Sequence, residues 1–285
     1  MMATRNESTS RLIIGTASWG SKISVGHAID LGLELVESGF THFDTAPTYG
    51  AGYSHLALRR IATSSSKPIS VDTKFGQLND RSPRGFAKKL LRAPNLMALS
   101  NALRRDERTD RDSAEFWIAQ RCVDSFSRSM DDLSPAVTKR VYLHSPPVAV
   151  WASEYKALRG AIEMRPNACS LTVGISEPVR ADLEALIESC DSKRVCVQLT
   201  LRQLLGNLER LASTENLDLC INGLFRDQAD CAMQLGLDER SLQRAVASVL
   251  KAQPTWKVII GINQPHNVKR LSQVAEDWGL SDDDG

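Results

Sequence analysis

The sequence predicts a single-domain α/β protein, a (β/α)8 or TIM barrel, and three observations carry that expectation. Eight apolar, β-rich runs recur along the 285 residues, helical patterns separate them, and no obvious linker divides the chain. The runs are Leu12–Ala17, Thr41–Ala46, Ser70–Phe75, Arg140–Ser145, Leu171–Ser176, Arg194–Thr200, Leu217–Asn222 and Lys257–Asn263. Most are nearly continuous Val, Ile and Leu, as in LIIGTA, LTVGIS, VCVQLT and KVIIGI, which suits parallel strands covered on both faces. A doubly wound sheet is the alternative fold.

Parallel strands need crossovers, and the intervening segments supply them. Val25 to Ser38 places Ala28, Leu31, Leu35 and Val36 near one face and ends at Gly39, a helix C-terminal glycine. Ser176-Glu177-Pro178 opens the next clear helix, with Ser176 as N-cap and Leu183, Leu186 and Ile187 as its buried stripe. Asn263-Gln264-Pro265 starts a final helix running toward Trp278. Between Phe75 and Arg140 lie 64 residues, too many for one helix and its turns, so a decorated loop over the barrel mouth is expected there. Its RRDERTDRD run, Arg104 to Asp112, holds four Arg and four acids and reads as a solvated face. The barrel is expected over residues 11–280, between a frayed tail at 1–10 and an acidic one at 281–285.

Composition narrows the function. The balance of 35 basic and 34 acidic side chains leaves no global footprint for a nucleic acid. No charge-free run reaches the ~18 residues that a membrane helix needs, and the first ten residues hold no secretion-signal stretch, so a cytosolic (cytoplasmic) protein is expected. The six cysteines form no C-x-x-C pair, which argues for reduced, buried thiols and against a metal site. Also absent are the Rossmann, P-loop, zincin and nucleophile-elbow signatures.

What is present sits at strand ends. Asp44 closes THFD, Lys74 closes SVDTK, His144 closes RVYLH, and Tyr49 follows Asp44 closely. In a parallel barrel these ends surround one cavity. A carbonyl that accepts hydride develops negative charge on oxygen and needs a proton donor nearby. Tyr49 is the candidate donor, Lys74 is expected to lower its pKa, Asp44 to keep the amine charged, and His144 to orient the carbonyl.

GTASWG at 15–20, FDTAPTYG at 43–50, TKFG at 73–76 and YLHSPP at 142–147 resemble the aldo-keto reductases in order and spacing. The resemblance implies a (β/α)8 barrel that reduces aldehydes or ketones, or oxidises alcohols, with NADPH or NADH across its mouth. It implies the same catalytic roles for Tyr49, Asp44, Lys74 and His144. It further implies cofactor contacts at Thr16, Asp44, Ser176, Gln198, Asn222, Gly261, Asn263, Asn267 and Arg270, with Ser176 and Gln198 on the nicotinamide carboxamide. Glu177 stands where such proteins often have Asn, Ile221-Asn222-Gly223 where many carry a stacking aromatic, and Arg270-Leu271 where a Glu-Asn pair usually meets adenine. His266, Lys269 and Arg270 at helical spacing point to a 2′-phosphate and hence to NADPH. Trp19, Tyr53 and Trp151 are candidate walls of a pocket for a small carbonyl or alcohol. The altered adenine end keeps open a dinucleotide-binding regulatory subunit with little turnover, and a non-redox lyase or epimerase on the same barrel is a further alternative. Oligomeric state is not legible.

Overall fold

The computed structural model describes residues 11–76, 119–146, 149–164, 171–191, 194–278 and 280. The two tails, most of the long loop with its RRDERTDRD run, and Cys169 lie outside them. Eight parallel strands close into a barrel in sequential order: β1 (Leu12–Gly15), β2 (His42–Asp44), β3 (Ser70–Phe75), β4 (Val137–His144), β5 (Thr172–Ser176), β6 (Val195–Thr200), β7 (Leu217–Asn222) and β8 (Lys257–Gly261). Pairing of β1 with β8, from Leu12 opposite Val258 to Gly15 opposite Gly261, completes the circuit. No edge is left unpaired, which is how a barrel avoids the exposed hydrogen-bonding rim of an open sheet.

The strands follow their apolar runs closely, and β3 and β7 have the expected bounds. β4 begins three residues before its predicted start, because Val137, Thr138 and Lys139 alternate exposed, buried, exposed at the barrel's lower end, where a continuous apolar run is not required. Among the described residues the outer layer comprises α1 (Val25–Glu37), α2 (Tyr53–Ser64), α3 (Ala119–Leu133), α4 (Val150–Glu163), α5 (Arg180–Glu188), α6 (Leu201–Leu205), α7 (Leu208–Ala212), α8 (Leu224–Gln234), α9 (Glu239–Ala252) and α10 (Leu271–Asp277). In α1 the residues Ala28, Leu31, Leu35 and Val36 are fully buried, Ser24 caps the N-terminus through the His27 amide, and Gly39 takes a left-handed φ of 95°.

Two helix starts differ from expectation. Ser176 ends β5 rather than capping a helix; α5 begins four residues later behind an extended Val179, and it buries Leu183 and Leu186. The segment after Gln264 begins as a 3₁₀ turn over Pro265–Arg270 before becoming α10. A 3₁₀ turn eclipses residues three apart, so His266 and Lys269 share one edge, and Asn267 and Arg270 the next.

Side chains alternate along each strand, so every second residue enters the barrel. Ile13, Tyr142, Cys196, Cys220 and Ile259 form a small buried cluster of their own inside it. Tyr142 Oη donates to Cys220 Sγ at 3.2 Å, and burial pushes the Cys220 thiol up to about 12. The five described cysteines are all buried, and none of them forms a disulfide. No helix among the described residues is long and apolar enough to cross a membrane.

Candidate active site

The C-terminal ends of β2, β3 and β4 deliver Asp44, Lys74 and His144 to one end of the barrel. Lys74 Nζ donates to Asp44 Oδ1 at 2.7 Å, to Asp44 Oδ2 at 2.8 Å and to the Thr45 carbonyl at 3.1 Å. Both partners of this ion pair are buried. Tyr49 arrives on the tight turn Tyr49–Gly52 that follows β2, with its ring centroid 4.9 Å from Lys74 Nζ and edge-to-face with His144 at 6.0 Å. Gly50 makes this placement possible. Its φ is 54°, and a Cβ there would lie 2.1 Å from the Trp19 carbonyl oxygen.

The electrostatics depart from expectation at one point. Burial raises the Tyr49 phenol above its ordinary pKa, and the opposing pull of Lys74 does not overcome it. The phenol is therefore kept protonated rather than poised as phenolate, which suits a proton donor. Burial would lower the Lys74 ammonium, yet Asp44 and Tyr49 raise it, so the amine stays charged. Burial likewise raises Asp44, with Lys74 opposing.

The neighbouring strands add amides. Gln198, in the second half of β6, donates through Nε2 to Asp44 Oδ1 at 3.3 Å, while its Oε1 is buried with no hydrogen-bond partner among the described residues. Asn222, ending β7, donates through Nδ2 to Glu177 Oε1 at 3.0 Å, and its Oδ1 is likewise buried without a partner. Ser176 is buried at the end of β5, paired in register with His144 and Gln198. Buried, unsatisfied acceptors on two neighbouring strands are costly unless a ligand donor completes them. A primary carboxamide has the required N–H groups, so these residues fit the nicotinamide end of a dinucleotide.

The other predicted positions fall into three groups. Thr16 is fully buried, and its hydroxyl bonds the Asp44 carbonyl at 2.9 Å and Ser54 Oγ at 2.5 Å, bracing the strand end that carries the acid. Gly261 is exposed at the end of β8, and Asn263 and Asn267 are half-buried in the segment that follows. Lys269 and Arg270 are exposed. Among the aromatics, Tyr53 is 45% exposed at the start of α2, but Trp19 and Trp151 have no exposed surface. Trp19 donates its indole N–H to the Ile262 carbonyl at 2.9 Å and packs edge-on against Phe43, and Trp151 lies on Tyr155 at 4.7 Å. The structure gives both indoles a packing role in place of an open wall.

Thr45 and Ser54 were not singled out from sequence, although they hold the site together. Thr45 supplies a carbonyl to Lys74 and its hydroxyl meets Ser54 Oγ at 2.8 Å. Their only sequence signal is Thr45's place directly after the strand-end acid. Among the described residues no cluster of His, Cys, Asp or Glu is arranged to hold a metal.

The aldo/keto reductase family model matches residues 11–220, which spans every element from β1 through most of β7. The chain belongs to the aldo/keto reductase family. It is thus an oxidoreductase of that family. Among solved structures, a thermostable aldo-keto reductase bound to the inhibitor epalrestat is 16% identical, with 99% of this chain and 98% of that one covered and a TM-score of 0.55. An aldo-keto reductase from Klebsiella pneumoniae in complex with NADPH is 15% identical over 94% of this chain and 90% of that one, TM-score 0.55. The glycerol dehydrogenase of Gluconobacter oxydans is 15% identical over 93% and 86%, TM-score 0.54. At such identities the structures share the fold. No curated protein matches the sequence.

Proposed function

We propose that this aldo/keto reductase transfers hydride between NADPH and a small aldehyde or ketone, or the corresponding alcohol, with Tyr49 as the general acid–base. The observation that carries the reading is the cluster of Tyr49, Lys74, Asp44 and His144 at three adjacent strand ends. A bound reduced nicotinamide supplies the hydride. Gln198, Asn222 and Ser176 would hold its carboxamide, the first two through the acceptors left unsatisfied in their burial.

The residues divide the remaining work. His144 lies against the Tyr49 ring, where it orients the carbonyl oxygen toward the phenol. Tyr49 gives its proton to that oxygen as charge develops, and takes one back from an alcohol in the reverse direction. Lys74, held charged by Asp44, stabilises the phenolate left behind. Asp44 also fixes Gln198, so the proton-transfer group and the carboxamide site share one carboxylate. The exposed Lys269 and Arg270 favour the 2′-phosphate of NADPH over NADH, and the Klebsiella relative was solved with NADPH.

Two measurements test the proposal. Fluorescence titration with NADPH and NADH is expected to show binding, tighter for NADPH, and a screen of aldehydes and ketones followed at the nicotinamide absorbance is expected to show turnover. Tight binding with no turnover of any carbonyl or alcohol would point to a regulatory subunit instead. Turnover with no added or copurified nicotinamide would point to a lyase or epimerase.

A further inference from the structure

Glu177 stands at the mouth with a conformation and a charge that the chemistry above leaves unused. It follows Ser176 at the end of β5 with φ at 50°, in the left-handed region that non-glycine residues rarely adopt. Strain of this kind is kept where the surrounding structure has a use for it. Here the backbone turn is locked by the Glu177 amide donating to the Gln198 carbonyl at 2.7 Å. The side chain then reaches across the end of β6 to Asn222 on β7, accepting from Nδ2 at 3.0 Å. Glu177 is thereby tied to two of the residues proposed to hold the carboxamide, by its backbone amide to Gln198 and by its carboxylate to Asn222.

The charge inventory of the mouth makes this carboxylate distinctive. Asp44 and Lys74 cancel one another in a buried ion pair. The nearby Arg226 is engaged by Asp227, Nε to Oδ1 at 2.8 Å and Nη2 to Oδ2 at 3.2 Å. Among the described residues Glu177 forms no ion pair; Arg226 feels its charge only at longer range, with its guanidinium hydrogen-bonded to Asp227. That charge is felt at the reaction centre: after burial, Lys74 and Asp44, it is a further influence on the Tyr49 phenol, and it acts to keep the proton in place.

Resting on the proposed nicotinamide site, we infer that Glu177 is a redox-discriminating residue: its carboxylate binds the cationic, oxidised nicotinamide in preference to the neutral, reduced one. A uniform hydrogen-bonding role would serve both forms equally, because the carboxamide is the same in each. A fixed negative charge serves only the form that carries a positive one. Two unit charges several ångströms apart in a partly buried site interact strongly enough to change a binding constant by about tenfold. By linkage, the same preference draws the bound equilibrium toward oxidised cofactor and alcohol, which favours carbonyl reduction.

The test compares dissociation constants of NADPH and NADP⁺ in the wild type, Glu177→Gln and Asn222→Ala. Glu177→Gln keeps an acceptor for Asn222 and removes the charge. It is expected to weaken NADP⁺ about tenfold with NADPH nearly unchanged, equivalent to about 30 mV in the two-electron potential of the bound couple. Asn222→Ala removes the bridge and leaves the charge, and is expected to weaken both forms to the same extent. Equal effects of Glu177→Gln on both forms, or no effect, would overturn the inference and leave Glu177 as a neutral brace. A wild type that binds neither form would instead overturn the nicotinamide reading itself, and this inference with it.

Discussion

The two ends of the barrel interior both bury charge, and they treat it in opposite ways. Toward the N-terminal ends of the strands, Arg140 on β4 reaches Asp72 on β3 at 3.1 Å and Asp218 on β7 at 3.3 Å, while His42 on β2 meets Asp72 at 2.8 Å. Arg194 adds a further contact to Asp218 at 3.0 Å. Burial would raise Asp72, but His42 and Arg140 together hold its carboxyl below the usual range. At the C-terminal ends, among the described residues, Asp44 pairs with Lys74 alone and is raised by burial instead, and the Gln198 and Asn222 oxygens stand unsatisfied. The lower network is saturated and the upper one is not. The unsatisfied oxygens of the upper end are what the proposed carboxamide site calls for, since its N–H groups would complete them.

The largest expected effect breaks the saturated end. Arg140→Met leaves Asp72 and Asp218 buried without their shared cation, and a loss of about 3–5 kcal/mol is expected in the free energy of unfolding by denaturant. A variant as stable as the wild type would mean that water or neighbouring groups replace the guanidinium, and that the contrast between the two ends is false.

The next effect falls on the chemistry and spares the fold. Tyr49→Phe retains the ring and deletes the donor, so single-turnover hydride transfer is expected to slow by about 10²-fold or more with cofactor affinity and melting temperature nearly unchanged. Lys74→Met is expected to be comparably slow, and the double variant little slower than either, because the two act as one unit. Additive losses would separate them.

A pH profile sharpens the comparison further. Since burial raises the Tyr49 phenol, the chemical step of reduction is expected to hold level through neutral pH and to fall only above the ordinary phenol range of about 10. Lys74→Met removes the cation that opposes burial, so the falling limb is expected to move still higher. A limb that moves lower in that variant would show Lys74 acting in some other way.

The smallest effect lies at the periphery. The pair of substitutions Lys269→Ala and Arg270→Ala is expected to lower the ratio of catalytic efficiencies with NADPH and NADH by several-fold, as for exposed cations facing a phosphate. A preference that survives the change would move the 2′-phosphate to other donors.

Much of this was written in the sequence, for identifiable reasons. The β-runs were legible because strands covered on both faces are continuously apolar, and Asp44, Lys74 and His144 stood out because each ends such a run. The helix starts after β5 and β8 were less legible. Ser176 has the residue type of a cap but is consumed by the strand, and Pro265 opens a 3₁₀ turn that a helical spacing rule does not distinguish from an α-helix. Trp19 and Trp151 show the same limit, since an indole after a strand looks alike whether it walls a mouth or fills a core.

The sequence by itself determined the alternation of strand and helix and the identity of the groups at the strand ends, because both depend on local pattern. Only the tertiary structure decided the charge states and pairings of those groups. Whether Lys74 or burial governs the Tyr49 proton, whether Asp72 is over-compensated and Asp44 under-compensated, and which oxygens go unsatisfied all depend on closing the barrel. Closure sets the local dielectric and brings Glu177 within reach of Asn222, 45 residues away in the chain.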